Sequence, residues 1–177
     1  MSLPPPRRYR RVSFIVFGLV TVAMVLVAVR RDRLVKPGDT LRFDDFSFTI
    51  RDVTRSNPIV TSTAQGPLMV EYVVTMTVDN QALRVPFRFS KGAVAIVEQK
   101  EGRRFHVNEV AQKAHDEAAG TPFSDPLVLA AGESATRDYV FRVPADVVAP
   151  RMRIAPGGWT GLIVDRVLTG SKEFQLP

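Results

Sequence analysis

The chain has 177 residues, two histidines and no cysteine. Catalysis needs a nucleophile with a base, paired carboxylates or a metal cluster, and with no cysteine and two histidines the options are few. His106 and His115 stand nine residues apart, with Glu109, Asp116 and Glu117 close by. Imidazoles among carboxylates are the donor set of a divalent transition metal, but the spacing fits no H-E-x-x-H or comparable ligand pattern. These five side chains read as ordinary surface polar residues. Asp44-Asp45 would suit calcium as a carboxylate pair, yet its place between two apolar stretches reads as a turn. The five methionines and two histidines make no copper site, since Met24 falls in an apolar run and Met76 on the inward side of a strand. Gly157-Gly158-Trp159-Thr160-Gly161 is glycine-rich but lacks the Lys-Ser/Thr of a phosphate-binding loop and opens no helix. No catalytic, metal or cofactor site is expected, and the chain reads as a non-enzyme.

Residues able to hold a partner remain. Trp159 is the single tryptophan; it either packs within the domain or stands exposed as a binding anchor, a role in which tryptophan is enriched. Arg151 and Arg153 flank Met152 and share one face of a strand, which is either a solvated face or a contact for acidic headgroups or a partner protein.

The net charge of +6 first suggests a nucleic-acid partner, and its distribution argues against one. Residues 1–33 carry seven arginines against Asp32, whereas residues 34–177 carry seventeen basic and seventeen acidic side chains. A nucleic-acid surface needs its basic groups clustered on a folded face. Here the excess flanks an apolar run, Val12 to Val29, that has no charge, Pro, Asn or Gln. As a helix its 18 residues would span about 27 Å, close to the hydrocarbon thickness of a bilayer. One transmembrane helix is expected over 12–29, with Arg7, Arg8, Arg10 and Arg11 before it, Arg30, Arg31 and Arg33 after it, and Tyr9 at the interface. A cleaved signal peptide fits less well: cleavage after Ala28 would put Leu26 at the −3 position and arginines directly after the cut. Within the run, Gly18, Thr21, Val25 and Ala28 form a smaller-sided stripe that would permit close helix packing.

The flanking positive charges balance, so they do not orient the helix; a short basic tail before a first apolar segment favours a signal anchor with the large domain outside the cytoplasm. Asn57, Asn80 and Asn108 lie in no N-x-[ST] sequon, which favours a bacterial envelope protein over a glycosylated ectodomain.

The remainder shows mostly period-two patterning. Phe46, Phe48 and Ile50 alternate with Ser47, Thr49 and Arg51, and Val70, Tyr72, Val74, Met76 and Val78 alternate with Glu71, Val73, Thr75, Thr77 and Asp79. Val85, Phe87 and Phe89 form a shorter set in which Pro86 predicts an edge or a bulge. Further strands are expected at 93–99 and 103–107 around Lys100-Glu101-Gly102, and at 127–130, 135–143, 151–155 and 162–168. One segment departs from this period. Residues 108–119 predict a short helix capped by Asn108 and Gly120, with Val110, Ala114 and Ala118 facing inward. The expected organisation is a basic cytoplasmic tail over 1–11, the membrane helix over 12–29 and a juxtamembrane linker over 30–39. An all-β, immunoglobulin-like antiparallel β-sandwich with a helical insert follows over 40–169, then a mobile tail over 170–177. The linker reaches at most about 33 Å, so the domain must lie near the bilayer.

This order resembles the telokin-like, immunoglobulin-like extracytoplasmic domains of bacterial lipoproteins and single-span envelope proteins. The resemblance covers about residues 36–169. It is carried by Pro37-Gly38-Asp39 leading into Phe48-Thr49-Ile50, by Val78-Asp79-Asn80 ending the long strand, and by Ala131-Gly132-Glu133-Ser134 followed by Tyr139-Val140-Phe141-Arg142-Val143-Pro144. These are packing and turn motifs, so they imply a fold and little chemistry. The chain departs from the pattern in having a membrane helix in place of a lipid-attachment cysteine, and in its helical insert. The function expected is that of a non-catalytic, membrane-anchored accessory subunit of an integral membrane complex of respiratory, photosynthetic or export type. Its partners would be that complex and membrane lipids, at the bacterial inner membrane with the sandwich on the periplasmic side. The alternative is an extracytoplasmic ligand-binding or envelope-stress sensing module working through loops 55–67 and 156–161.

Overall fold

The computed structural model describes residues 34–43, 45–60, 67–120, 124–155 and 173–177. The apolar run 12–29 with Gly18, Thr21, Val25 and Ala28, the 156–161 loop with Trp159, and the strand expected over 162–168 lie outside the described residues. Among the described residues, no helix is long and apolar enough to cross a membrane.

One layer is a five-stranded sheet in which β2 (Thr40–Phe43), β3 (Phe46–Arg55), β5 (Leu68–Asn80) and β10 (Ser134–Pro144) lie in the order β10-β5-β3-β2 and β4 (Ile59–Val60) pairs the start of β5. The alternation legible in the sequence sets its faces: Phe48, Ile50, Val70, Tyr72, Val74, Met76, Val78, Phe141 and Val143 are buried in the core. A bulge at Arg51 shifts the register between Ile50 and Asp52. The extra residue moves the inward phase by one, so that Val53 resumes packing against the core.

The second layer is divided. Near one end, β6 (Phe87–Phe89) pairs with β9 (Leu127–Leu129); below it lies a five-stranded sheet, β1-β12-β11-β7-β8. That sheet comprises β1 (Leu34–Val35), β7 (Val94–Glu98), β8 (Arg104–His106), β11 (Pro150–Ile154) and β12 (Glu173–Gln175). Aromatic rings join the layers: Phe46 stacks on Phe87 at 3.8 Å between centroids, and Phe89 meets Phe48 and the edge of Tyr139. The β7–β8 hairpin turns through Gly102, whose φ of 70° is open to glycine without strain. The result is an immunoglobulin-like β-sandwich with one described α-helix, α1 (Glu109–Ala119).

Four expectations are corrected. The sandwich was expected to begin at 40 and end at 169, with a mobile tail after it, but Leu34–Val35 and Glu173–Gln175 are both strands of the sheet. β12 lies inside it, between β1 and β11, with Phe174 fully buried and Leu176 nearly so. Phe174 and Leu176 do alternate with Glu173 and Gln175, but so short a run acquires meaning only from the neighbours that flank it. The sandwich is also not wholly antiparallel: β1 runs parallel to β12. These strands lie far apart in sequence, so no hairpin forces them to oppose. Val85, expected inward, is exposed, because β6 starts only after Pro86. The helix has Asn108 and Gly120 as its caps, yet Val110, Ala114 and Ala118 are exposed and Ala111 and Gln112 are buried.

Candidate functional site

The helix orientation follows from what it covers. β10 is the last strand of its sheet, and its free edge presents backbone N–H and C=O groups rather than apolar side chains. An amide side chain can satisfy both. Gln112 accepts from Val140 N at 2.9 Å and donates to Asp138 O at 3.1 Å, while Asn108 N donates to Val140 O at 2.8 Å. Gln112 thus replaces a missing strand, and the helix buries a polar face because the surface beneath it is polar.

His115 lies on that face. Its Nε2 is 2.9 Å from a carboxylate oxygen of Asp138, whose other oxygen accepts from Thr75 Oγ1 at 2.7 Å. His115, expected to be an ordinary surface polar residue, therefore tethers helix to sheet through Asp138, while His106 sits exposed on β8. Among the described residues, no three His, Asp or Glu side chains converge as metal ligands. The tether continues into the outer face of the sheet, where Thr40, Thr49, Thr77 and Thr136 are successive cross-strand neighbours. Thr40 and Thr49 hydroxyls lie 2.9 Å apart, and those of Thr77 and Thr136 2.8 Å.

Arg151 and Arg153 share one face of β11, as the sequence suggests. Both are engaged by Glu173 on β12: Arg153 Nε donates to its carboxylate at 2.9 Å and Arg151 Nη1 at 3.4 Å. Two cations held on one nearly buried carboxylate fasten β12 to β11. Glu98 at the far end of β7 is in the converse arrangement, one guanidinium shared by two acids: Arg103 Nε donates to it at 2.6 Å and Arg103 Nη2 to Asp146 at 3.2 Å. The Arg103 hydrogen bond holds the Glu98 carboxyl below its ordinary range, and the two acids raise Arg103 further above its own. Burial raises the Tyr139 phenol.

Asn80, which closes β5, is the hub of the opposite end. Its buried Nδ2 donates to the carbonyls of Val85 at 2.8 Å, Ala130 at 2.9 Å and Leu129 at 3.2 Å, and its Oδ1 accepts from Ala82 N at 3.1 Å. It fixes the loop over 81–86 to the β9–β10 turn. An Asn closing a long apolar strand is the signal for such a role, though its partners are distant in sequence.

These features define a β-sandwich domain whose described polar clusters brace its own edges and ends. No family model and no curated protein sequence matches the chain. Among solved structures, it is similar to the yjhA protein from Bacillus subtilis, at 12% identity and a TM-score of 0.52, covering 81% of this chain and 100% of that one. It is also similar to the ycdA protein from Bacillus subtilis subsp. subtilis str. 168, at 13% identity and a TM-score of 0.51, covering 77% of this chain and 38% of that one. At these identities the likeness is one of fold.

Proposed function

We propose that the chain is a membrane-anchored, non-catalytic accessory subunit of a larger integral membrane complex, with a telokin-like sandwich on the extracytoplasmic side. The observation that carries this reading is the position of β1. The first described strand begins at Leu34, so residues 34–39 of the expected ten-residue linker belong to the sandwich and at most the four residues Arg30–Arg33 would remain as linker. Four residues reach at most about 14 Å, which holds the domain against the bilayer and within contact distance of a neighbouring membrane protein. The 12–29 helix would then lie beside that protein, with Gly18, Thr21, Val25 and Ala28 as its packing stripe. Extraction of native membranes in mild detergents, followed by native gels and mass spectrometry, tests this reading. Co-migration with a defined set of integral membrane proteins is the expected result; a lone monomer in every detergent would overturn it.

A further inference from the structure

Asn80 at the end of β5 pairs with Phe46 at the start of β3, Asp79 with Ser134 at the start of β10, and Phe43 at the end of β2 with Phe46. The β2–β3 turn, the loop over 81–86 and the β9–β10 turn therefore open from one rim of the sandwich. Backbone hydrogen bonds join them, from Gln81 N to Asp45 O at 2.7 Å and from Gly132 N to Asn80 O at 2.9 Å. Leu83 on this rim is 94% exposed and Val85 60%, with Arg84 and Pro86 exposed beside them. A single exposed leucine is unremarkable, but this loop is held outward: Asn80 binds Ala82 N and Val85 O, Ala82 is buried, and the apolar side chains between them project into solvent.

The first described strand, β1, has its N-terminal end on the side of this rim. β10 finishes at Pro144 on the far side, and β11 begins at Pro150 and runs back toward the rim. β12 is antiparallel to β11 and parallel to β1, so β1 runs away from the rim and residues before Leu34 lead toward it. Gly38 N, just after β1, donates to Ile50 O at 2.9 Å. Ile50 is four residues along β3 from Phe46, or about 13 Å from the rim at the rise of a strand. Four extended residues, the number between Val29 and Leu34, would reach about the same distance.

We infer that the Leu83–Pro86 loop is a second membrane contact, in which Leu83 and Val85 enter the boundary between headgroups and acyl chains of the leaflet that the 12–29 helix meets on leaving the bilayer. The inference rests on the membrane-anchored reading. Arg84 and Arg88 extend toward the phosphates with their stems on apolar ground. Asp45 and Glu133 share the rim, so its charge is mixed and apolar insertion carries the contact, in zwitterionic as in anionic lipid.

The cysteine-free sequence permits a direct test. Full-length Leu83→Cys and Val85→Cys variants, and a Val148→Cys control exposed at the opposite end, are labelled with an environment-sensitive fluorophore. Each is reconstituted into phosphatidylcholine vesicles carrying brominated acyl chains. The expected result is blue-shifted emission and several-fold stronger quenching at positions 83 and 85 than at 148. Equal quenching at all three positions, in protein that floats with the vesicles, overturns the inference, leaves the anchor standing and makes the loop a surface for a protein. Failure to float overturns both.

Discussion

Phe174 offers the sharpest separation between a tail and a strand. A disordered terminus tolerates Phe174→Ala with no effect, whereas a fully buried ring between β1 and β11 does not. Truncating a core phenylalanine removes its transfer free energy and leaves a cavity, together about 3–5 kcal/mol. That is a large share of the roughly 5–15 kcal/mol by which domains are stable. For a chain of this length, the melting temperature should fall by roughly 6–20 °C. Gln175, one residue on and exposed, is the matched control: Gln175→Ala should change stability by no more than about 0.5 kcal/mol. Urea and thermal unfolding of the full chain in detergent micelles, followed by far-UV circular dichroism, give both numbers. Indistinguishable curves for the two variants, each within about 1 kcal/mol of the parent, would refute the placement of β12 in the sheet.

Asn80→Ala leaves the buried Ala82 N–H and Leu129 carbonyl without their partner and should lower stability by about 2–5 kcal/mol in urea titrations. Gln112→Ala unpairs Val140 N on the β10 edge at a cost of about 1–3 kcal/mol and should promote edge-to-edge dimers in size-exclusion chromatography. Val110→Ser, on the exposed side of the same helix, should stay within about 0.5 kcal/mol of the parent. Because Arg103 lowers the folded-state pKa of Glu98, the pair's contribution is complete above the carboxyl's ordinary value of 4.5 and disappears as pH falls through the lower folded value. The Glu98→Gln variant should therefore show a flatter acid limb in a stability–pH profile than the parent.

The long strands were legible in the residues because each carries its own period. Phe48 and Ile50 on β3, and Val70 to Val78 on β5, face the core as the alternation predicts. The caps of α1 were legible for the same reason, since Asn108 and Gly120 act on backbone within a turn of themselves. Which face of α1 turns inward was not: that depends on the strand edge of β10, a polar surface that an apolar-face argument does not anticipate. The strands β1 and β12 are too short for local sequence to specify, and their pairing is decided by neighbours that meet only in the folded chain. The same holds for Arg151 and Arg153, whose shared face followed from period two, while their common partner Glu173 lies some twenty residues away. Sequence alone determined the segregation of charge into residues 1–33, the apolar run and the β-rich body, because composition and period act locally. Tertiary structure alone decided that β1 runs away from the rim bearing Leu83 and Val85, because strand direction depends on which distant segments pair.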